Sequence, residues 1–248
     1  MRAKHHEKET ARDLMSTLRF IVMIVVLLCL PVRSMAGGPV HGARAAGMGT
    51  AFVALADDPS AILFNAAGIA SIRGTEIYGG NTVLTINSDY LDKAGRTEET
   101  DFNIFTTPHL YITTDLGRDN ITIGLGVYAP FGIGGRSWPL NGLTKFTSTR
   151  AEIATLSVNP TVAIKVTPQI MVGAGLDYMG AYSLAEKMLD QGIFGAGDGK
   201  LRLKGYGYGL GFNAGAIVRL KKLNVGLAYR SEIEVDIEGQ LEMEAIAP

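Results

Sequence analysis

Hydrophobic and polar residues alternate at every second position through most of the chain that follows residue 74. The alternation is clearest in Gly205–Leu220, where aromatic and aliphatic side chains face one way and glycine or Asn213 the other. A period of two is typical of a strand with one apolar face and one solvated face. It predicts seven strands in all: Thr75–Asn87, His109–Asp115, Ile121–Ala129, Ala151–Val166, Ile170–Tyr178, Gly205–Leu220 and Leu223–Ile237.

The connections between these strands also alternate, between long and short. Long loops at 88–101, 131–150 and 180–204 alternate with tight turns at 116–120, 167–169 and 221–222. Transmembrane β-barrels have long outer loops and short periplasmic turns, whereas a soluble β-sandwich has no reason to show this pattern. The sequence therefore predicts an all-β fold, an antiparallel transmembrane β-barrel, over residues 73–248.

The first 36 residues predict a cleaved signal peptide. The continuous apolar run Phe20–Val32 is shorter than the about 20 residues that a membrane-spanning helix needs. Ser34 and Ala36 then supply the small residues of a cleavage site, which places the mature N-terminus at Gly37. The only cysteine, Cys29, lies inside the apolar run, so no disulfide is expected in the exported protein.

Residues 37–72 form a separate segment that lacks strand alternation. Gly42–Ser71 is rich in small residues, and Asp57 and Asp58 followed by Pro59 predict a helix start. About two turns of apolar helix follow, from Ser60 to Ala67, and Gly68 ends them. Taken alone, this segment is equally compatible with a buried helix and loop of a soluble domain.

The same segment, GARAAGMGTAFVALADDPSAILFNAAGIA, resembles the N-terminal plug of the FadL/TodX family of outer-membrane transporters of long-chain fatty acids and aromatic hydrocarbons. VYAPFGIGGRSWP, EIATLSVNPTVAIKV, VGAGLDYM and VGLAYRSEIEVDIEG resemble barrel segments of that family, in the family's order. One position departs from the family's Asn-Pro-Ala triplet, which reads here Asn65, Ala66 and Ala67. Without the proline, the turn of the plug loses a fixed φ angle.

The resemblance implies a plug-gated passive transporter that releases its substrate sideways through an interruption of the third strand. It places the plug turn at Asn65, Ala66 and Ala67, after Asp57 and Asp58. The interruption would be Ala129, Pro130, Phe131 and Gly132, since proline removes a ladder N–H. Pro130 is equally well explained as the end of a strand.

The long loop after the third strand carries candidates for substrate capture. The apolar candidates, which would contact the hydrophobic part of a ligand, are Ile133, Trp138, Leu140, Leu143 and Phe146. The cationic candidates, which could bind the carboxylate of a fatty acid, are Arg136 and Arg150, with Lys145 as a further cation. The aromatic members are equally compatible with the interface belt of a membrane barrel.

Other functions have less support in the sequence. A structural or adhesin-like barrel without transport remains the alternative, while a lipid-modifying enzyme is disfavoured because no Ser/His pair stands out. No catalytic residue, metal site or cofactor is predicted, and the near-balanced charge of −1 implies no nucleic-acid partner. The expected partners are a hydrophobic ligand such as a fatty acid, outer-membrane lipid and the barrel assembly machinery.

Seven strands do not suffice for a closed barrel. Bacterial single-chain barrels have an even number of strands, from eight upward, and an eight-stranded barrel is already filled by side chains. The plug would not fit inside it, and the resemblance implies about twice as many strands. We therefore expect the chain to form an incomplete barrel that further strands complete.

Overall fold

A computed structural model of the chain describes residues 41–130 and 133–245, apart from the side chains of Ile133 and Phe194. The predicted signal peptide, residues 1–36, lies outside the described residues, and so do Phe131 and Gly132. None of the helices in the described ranges has the length and apolar composition needed to cross a membrane.

The described part of the chain consists of a short helical segment followed by strands. The helices are α1 (Ala43–Gly47), α2 (Ala61–Phe64) and two 3₁₀ helices, Ala66–Ser71 and Gly192–Phe194. The strands are β1 (Thr75–Thr85), β2 (Asp89–Leu91), β3 (Thr97–Glu99), β4 (Ile104–Thr114), β5 (Ile121–Tyr128), β6 (Ile133–Ser137), β7 (Arg150–Lys165), β8 (Ile170–Leu189), β9 (Gly199–Arg219), β10 (Asn224–Arg230) and β11 (Asp236–Glu244).

Seven strands form one curled antiparallel sheet, in the order β1-β4-β5-β7-β8-β9-β10. Two further strands extend this path: β6 pairs with β7 beyond the end of β5, and β11 pairs with β9 beyond the end of β10. Strands β2 and β3 form a small hairpin within the first long loop. The predicted all-β fold and the count of seven strands are confirmed, as is the alternation of long and short connections.

The two faces of the sheet differ as the alternation predicts. The outward face carries exposed apolar side chains, among them Leu125, Leu176, Leu210 and Leu227. The inward face carries buried polar side chains: Thr107, Thr113, Thr122, Ser157, Asn159, Thr161, Asp177 and Asn213. The main buried core lies between this inward face and the helical segment, where Phe52, Ile62 and Ile69 of that segment meet Tyr111, Tyr128, Met171 and Ile217 of the strands.

Strands β8 and β9 are longer than the sequence predicted. Most of the stretch 180–204, which was expected to be a loop, continues the two strands, and the loop itself spans only 190–198. Charged residues there pair across neighbouring strands: Glu186 of β8 accepts from Arg202 of β9 at 2.5 Å and lies 3.3 Å from Lys200. Because each charge has a partner on the next strand, a hydrophilic stretch is compatible with a regular ladder.

The last predicted strand is broken. Strand β10 pairs with 213–219 of β9 and β11 pairs with 200–208, so five residues, 231–235, oppose the four residues 209–212. Because of this extra residue, the side chains that follow it point to the opposite face of the sheet from the one predicted, as after a β-bulge. Ile233 and Val235 were predicted to face outward with Leu227, but they lie against the inward glycines Gly207, Gly209 and Gly211 of β9.

We predict that Leu210→Arg on β9 prevents assembly into a membrane. Leu210 is 72% exposed on the outward face, and an arginine near the middle of the bilayer costs about 2–4 kcal/mol. Leu203→Arg is the matched control, since Leu203 is also exposed but lies on the inward face of the same strand. The heat-modifiable band on gels should be lost for Leu210→Arg and kept for Leu203→Arg. Equal loss in both variants would contradict the assignment of the faces.

Candidate functional site

The helical segment 41–71, which we call the plug, begins its second helix at Ala61 with Ser60 as N-cap, so Asp57, Asp58 and Pro59 precede the helix instead of capping it as predicted. The carboxylate of Asp58 accepts hydrogen bonds from the backbone N–H of Ser60 at 2.9 Å and from its hydroxyl at 2.5 Å. Asp57 instead pairs with Arg44 at 2.8 Å near the surface. The predicted two-turn helix is shorter than expected, because α2 ends at Phe64 and a 3₁₀ helix follows.

Asn65 separates these two helices and attaches the plug to the sheet. Its side-chain oxygen accepts from the N–H of Ala67 at 3.1 Å, which caps the 3₁₀ helix. Its Nδ2 donates to the carbonyls of Val53 in the plug at 2.9 Å, of Ala216 in β9 at 3.3 Å and of Leu227 in β10 at 3.3 Å. The fully buried Asn65 amide therefore joins the plug turn to two neighbouring strands.

Three inward glycines let the backbone of the plug approach the strands. A Cβ at Gly173 of β8 would lie 2.5 Å from the carbonyl of Ala66, and one at Gly215 of β9 would lie 1.9 Å from Oδ1 of Asn65. A Cβ at Gly226 of β10 would lie 2.5 Å from the carbonyl of Val53. Ala66 and Ala67 are buried in this contact, so close packing holds the turn in the absence of proline.

The third strand of the sheet is interrupted where the sequence predicted an opening. Strand β5 pairs with β7 up to Tyr128–Ser157, and β6 resumes at Ile133–Ala154. Between these two pairs the chain has four residues, 129–132, on one side and only Thr155 and Leu156 on β7. Ala129 and Pro130 are buried in the break, and the placement of Phe131 and Gly132 is not described.

The neighbouring strand β4 continues past this break. Its ladder with β5 ends at His109–Tyr128, so residues 104–108 extend beyond the last pair. The two sides meet again at Ser137, whose carbonyl accepts from the backbone N–H of Asp101 at 2.9 Å and whose hydroxyl accepts from Nδ2 of Asn103 at 2.8 Å. We call the stretch between these two points the wall gap; no ladder pair joins its sides among the described residues.

Aromatic side chains line the inner side of the wall gap. The Nε2 of His41, in the plug, donates to the carbonyl of Ala129 at 2.8 Å. The His41 ring lies 5.4 Å from that of His109 and 5.9 Å from that of Tyr128. Burial lowers the pKa of His41, and the hydrogen bond to Ala129 opposes that shift. The neutral His41 ring therefore donates a hydrogen bond to the Ala129 carbonyl, which lies just past the last ladder pair between β5 and β7.

A buried polar cluster lies beside the wall gap. The Tyr128 hydroxyl donates to Asp177 at 3.2 Å and accepts from Asn159 at 3.2 Å and from Arg230 at 3.2 Å. Arg230 also forms an ion pair with Asp177 and donates to the plug carbonyl of Leu63 at 3.1 Å. Sequence reasoning missed this cluster. The feature of the sequence that could have indicated the cluster is Asp177, the only charged residue of the predicted strand Ile170–Tyr178.

The predicted capture residues are distributed from β6, through the loop that follows it, to the start of β7. Trp138 contacts Tyr90 of the β2–β3 hairpin, while Leu140 and Phe146 are exposed along the loop. The loop is held to the hairpin by Glu98, which accepts from the backbones of Leu143 at 2.9 Å and Thr144 at 3.0 Å.

The predicted cations of this loop differ in their surroundings. Arg150 pairs with Glu152 and Lys145 with Asp198, each at 2.7 Å, whereas Arg136 lies exposed on β6.

A small cavity lies between the plug and the last strands. Its volume is about 110 Å³, and Leu63, Phe64, Asn213 and Arg230 contribute to its lining. An apolar cavity of about 150 Å³ accommodates benzene, so this cavity is too small for a fatty acid in the present conformation. The described residues contain no group of three His, Cys, Asp or Glu side chains placed to hold a metal ion.

Comparison with solved structures shows the same fold in proteins of three bacterial species. The toluene transporter TbuX of Ralstonia pickettii matches with a TM-score of 0.67 and 19% identity, over 83% of this chain and 61% of that one. A FadL homologue of Pseudomonas aeruginosa matches with a TM-score of 0.64 and 20% identity, over 84% and 56%. The toluene transporter TodX of P. putida matches with a TM-score of 0.62 and 16% identity, over 75% and 54%.

This chain therefore spans between half and two thirds of the length of each of these transporters. A search among curated proteins found no match. The sequence profile of the outer membrane protein transport family (OMPP1/FadL/TodX) matches residues 29–247, and the chain belongs to that family.

Proposed function

We propose that this chain forms the plug-bearing part of an outer-membrane channel for hydrophobic compounds, such as long-chain fatty acids or monoaromatic hydrocarbons. The protein would be exported through its signal peptide, inserted by the barrel assembly machinery and completed by further strands. The observation that carries the proposal is the wall gap, an interruption of strand pairing beside the plug in an otherwise paired sheet.

The chemistry of the two faces supports sideways release. The inward face is lined with hydroxyls, amides and Asp177, so an apolar ligand gains little by following it to the periplasm. The outward face next to the wall gap carries Ile104 and Leu110, both exposed where lipid would contact them. A ligand that leaves through the wall gap passes directly from the interior to an apolar surface.

The plug has to move for this route to open. His41 and Tyr128 close the inner side of the wall gap, and Asn65 attaches the plug to β9 and β10. Each neutral hydrogen bond contributes only about 0.5–1.5 kcal/mol net. A ligand shifts the plug by as much as it binds the displaced arrangement more tightly than the docked one.

Capture would begin on the long loop after β6. Its exposed Leu140 and Phe146, together with Trp138, offer apolar contacts outside the barrel, and Ile133 and Leu143 are further apolar residues that we assign to capture. Because Arg150 and Lys145 are paired with carboxylates, we assign the contact with a fatty-acid head group to Arg136.

Uptake by whole cells tests the proposal. Cells that produce the full-length protein should take up labelled oleate or toluene faster than cells without the gene. Equal uptake of both compounds, with the protein present in the outer membrane, would support the structural or adhesin-like alternative instead.

We predict that Asn65→Asp loosens the plug. The substitution keeps the oxygen that caps Ala67 but replaces the donor to three carbonyls with an acceptor, which leaves these carbonyls facing a carboxylate. Loss of a buried hydrogen-bond partner costs about 1–3 kcal/mol. The mean ion conductance of the protein in planar bilayers should therefore rise.

Gln191→Glu is the control for this prediction. Its buried amide also donates to carbonyls, of Gly197 at 3.2 Å and of Ala245 at 2.7 Å, but it lies in the loop between β8 and β9. If both variants raise the conductance equally, Asn65 does not hold the plug.

We predict that deletion of Phe131 and Gly132 closes the wall gap. The deletion leaves two residues opposite two in β7 and keeps the alternation of faces, so β5 and β6 form one continuous ladder. Uptake of oleate and toluene should fall at least tenfold, while the protein stays heat-modifiable. Pro130→Ala should have a smaller effect, since the two extra residues remain.

Deletion of Ala196 and Gly197 in the loop between β8 and β9 serves as the control. This two-residue deletion lies outside the ladder and should leave uptake near the wild-type value. Wild-type uptake after deletion of Phe131 and Gly132 would show that substrate leaves by another route.

A further inference from the structure

Three hydrogen-bond donors in the long loop after β6 converge on one carboxylate. The backbone N–H groups of Leu143 and Thr144 donate to the two oxygens of Glu98 at 2.9 and 3.0 Å, and the Thr144 hydroxyl donates at 3.1 Å. Thr144 is only 6% exposed, so water has little access to its donors. Successive backbone N–H groups that point the same way form a concave anion-binding site, or nest. We call these three donors the loop nest.

The residue before the loop nest leaves room for the carboxylate. A Cβ at Gly142 would overlap the Glu98 carboxyl group, and the three atoms nearest to that position all belong to Glu98. The φ angle of Gly142 is not among the positive ones of the chain, so its backbone conformation does not require glycine. Space for a bound carboxylate is therefore what the missing side chain provides.

The loop nest is held in place independently of Glu98. The carbonyl of Lys145 accepts from the N–H of Met188 in β8 at 2.7 Å, and its ammonium pairs with Asp198 at 2.7 Å in the loop between β8 and β9. Glu98 itself belongs to β3, which pairs with β2 in a separate two-stranded sheet. The donors therefore keep their positions when Glu98 leaves them.

These contacts let an external carboxylate replace Glu98 at little cost. It would accept the same three hydrogen bonds, while Glu98, which is only half-buried, would become hydrated. Hydrogen bonds to an ionised acceptor are about twice as strong as neutral ones, so the loop nest favours a carboxylate over an uncharged group. Leu140 and Phe146, exposed on either side of the nest in the chain, add contacts for an apolar tail that Glu98 lacks.

We propose that the loop nest is a binding site for the carboxylate of a fatty acid, and that Glu98 occupies it as an internal competitor until the ligand arrives. The inference rests on the proposed function, and it gives the head group a second contact in addition to Arg136. It also predicts a difference between substrates, because a fatty acid gains hydrogen bonds at the nest and an uncharged compound does not.

The test compares wild type with three variants of the full-length protein: Glu98→Ala, Gly142→Ala and Glu99→Ala. Glu98→Ala empties the loop nest. Gly142→Ala also removes Glu98 from it but fills the carboxylate position with a methyl group. Glu99→Ala removes the same charge from an exposed position on the same strand.

Uptake by cells is measured with labelled oleate and with labelled oleyl alcohol, which has the same chain without the carboxylate. Each variant is first checked for heat-modifiability. Glu98→Ala should lower the oleate concentration for half-maximal uptake about tenfold, the equivalent of one hydrogen bond to a charged group. The value for oleyl alcohol should not change. Gly142→Ala and Glu99→Ala should leave the oleate value near that of wild type.

Three results would overturn the inference while leaving the proposed function intact. The first is an unchanged oleate value in Glu98→Ala. The second is an equal decrease in Glu98→Ala and Gly142→Ala, or for oleate and oleyl alcohol, which would attribute the effect to release of the hairpin. The third is an equal decrease in Glu99→Ala, which would attribute it to charge alone. Absence of uptake of both compounds by the wild-type protein would instead reject the proposed function itself.

Discussion

The structure depends on direct contact between the backbone of the plug and three neighbouring strands. Gly173 of β8 lies directly opposite Gly215 of β9, and Gly226 of β10 lies opposite Ile217, two residues further along β9. A side chain at any of these three glycines would overlap the plug. This contact puts Asn65 within reach of carbonyls on two strands. The small-residue composition of the plug follows from the same constraint, since larger side chains would separate the two surfaces.

The polar inward face and the apolar outward face then limit what can cross the wall. A continuous ladder would seal the interior from the membrane, because backbone groups paired within a sheet leave no opening. The two extra residues between β5 and β6 interrupt that ladder beside the plug. Plug, polar cluster and interruption thus meet around one residue, Tyr128.

Much of the fold could be predicted from the sequence, because strands in a barrel wall alternate strictly and their connections differ in length. Two features were missed for physical reasons. Cross-strand charge pairs such as Glu186–Arg202 make the ends of β8 and β9 as hydrophilic as loops. The single extra residue at 231–235 reverses the faces of Ile233 and Val235 without changing the local alternation.

The candidate site was predictable in part. Pro130 and the plug turn at Asn65 were found because proline and the resemblance to known plugs mark them locally. The contacts of Arg230 with Leu63, Tyr128 and Asp177 join residues far apart in the chain, and only the curl of the sheet brings them together. The same holds for His41 and Ala129, whose contact depends on the docked plug.

On this account, the plug has to move away from β8, β9 and β10 before a ligand can pass through the protein. A reversible disulfide between cysteines introduced by Ile62→Cys and Gly126→Cys tests it most directly. A Cβ at Gly126 would lie 3.0 Å from Cγ2 of Ile62, which brings the two Cβ atoms within the range of a disulfide. The account predicts that oxidation abolishes uptake of oleate and toluene and that reduction restores it. Undiminished uptake by the fully cross-linked protein would contradict the account.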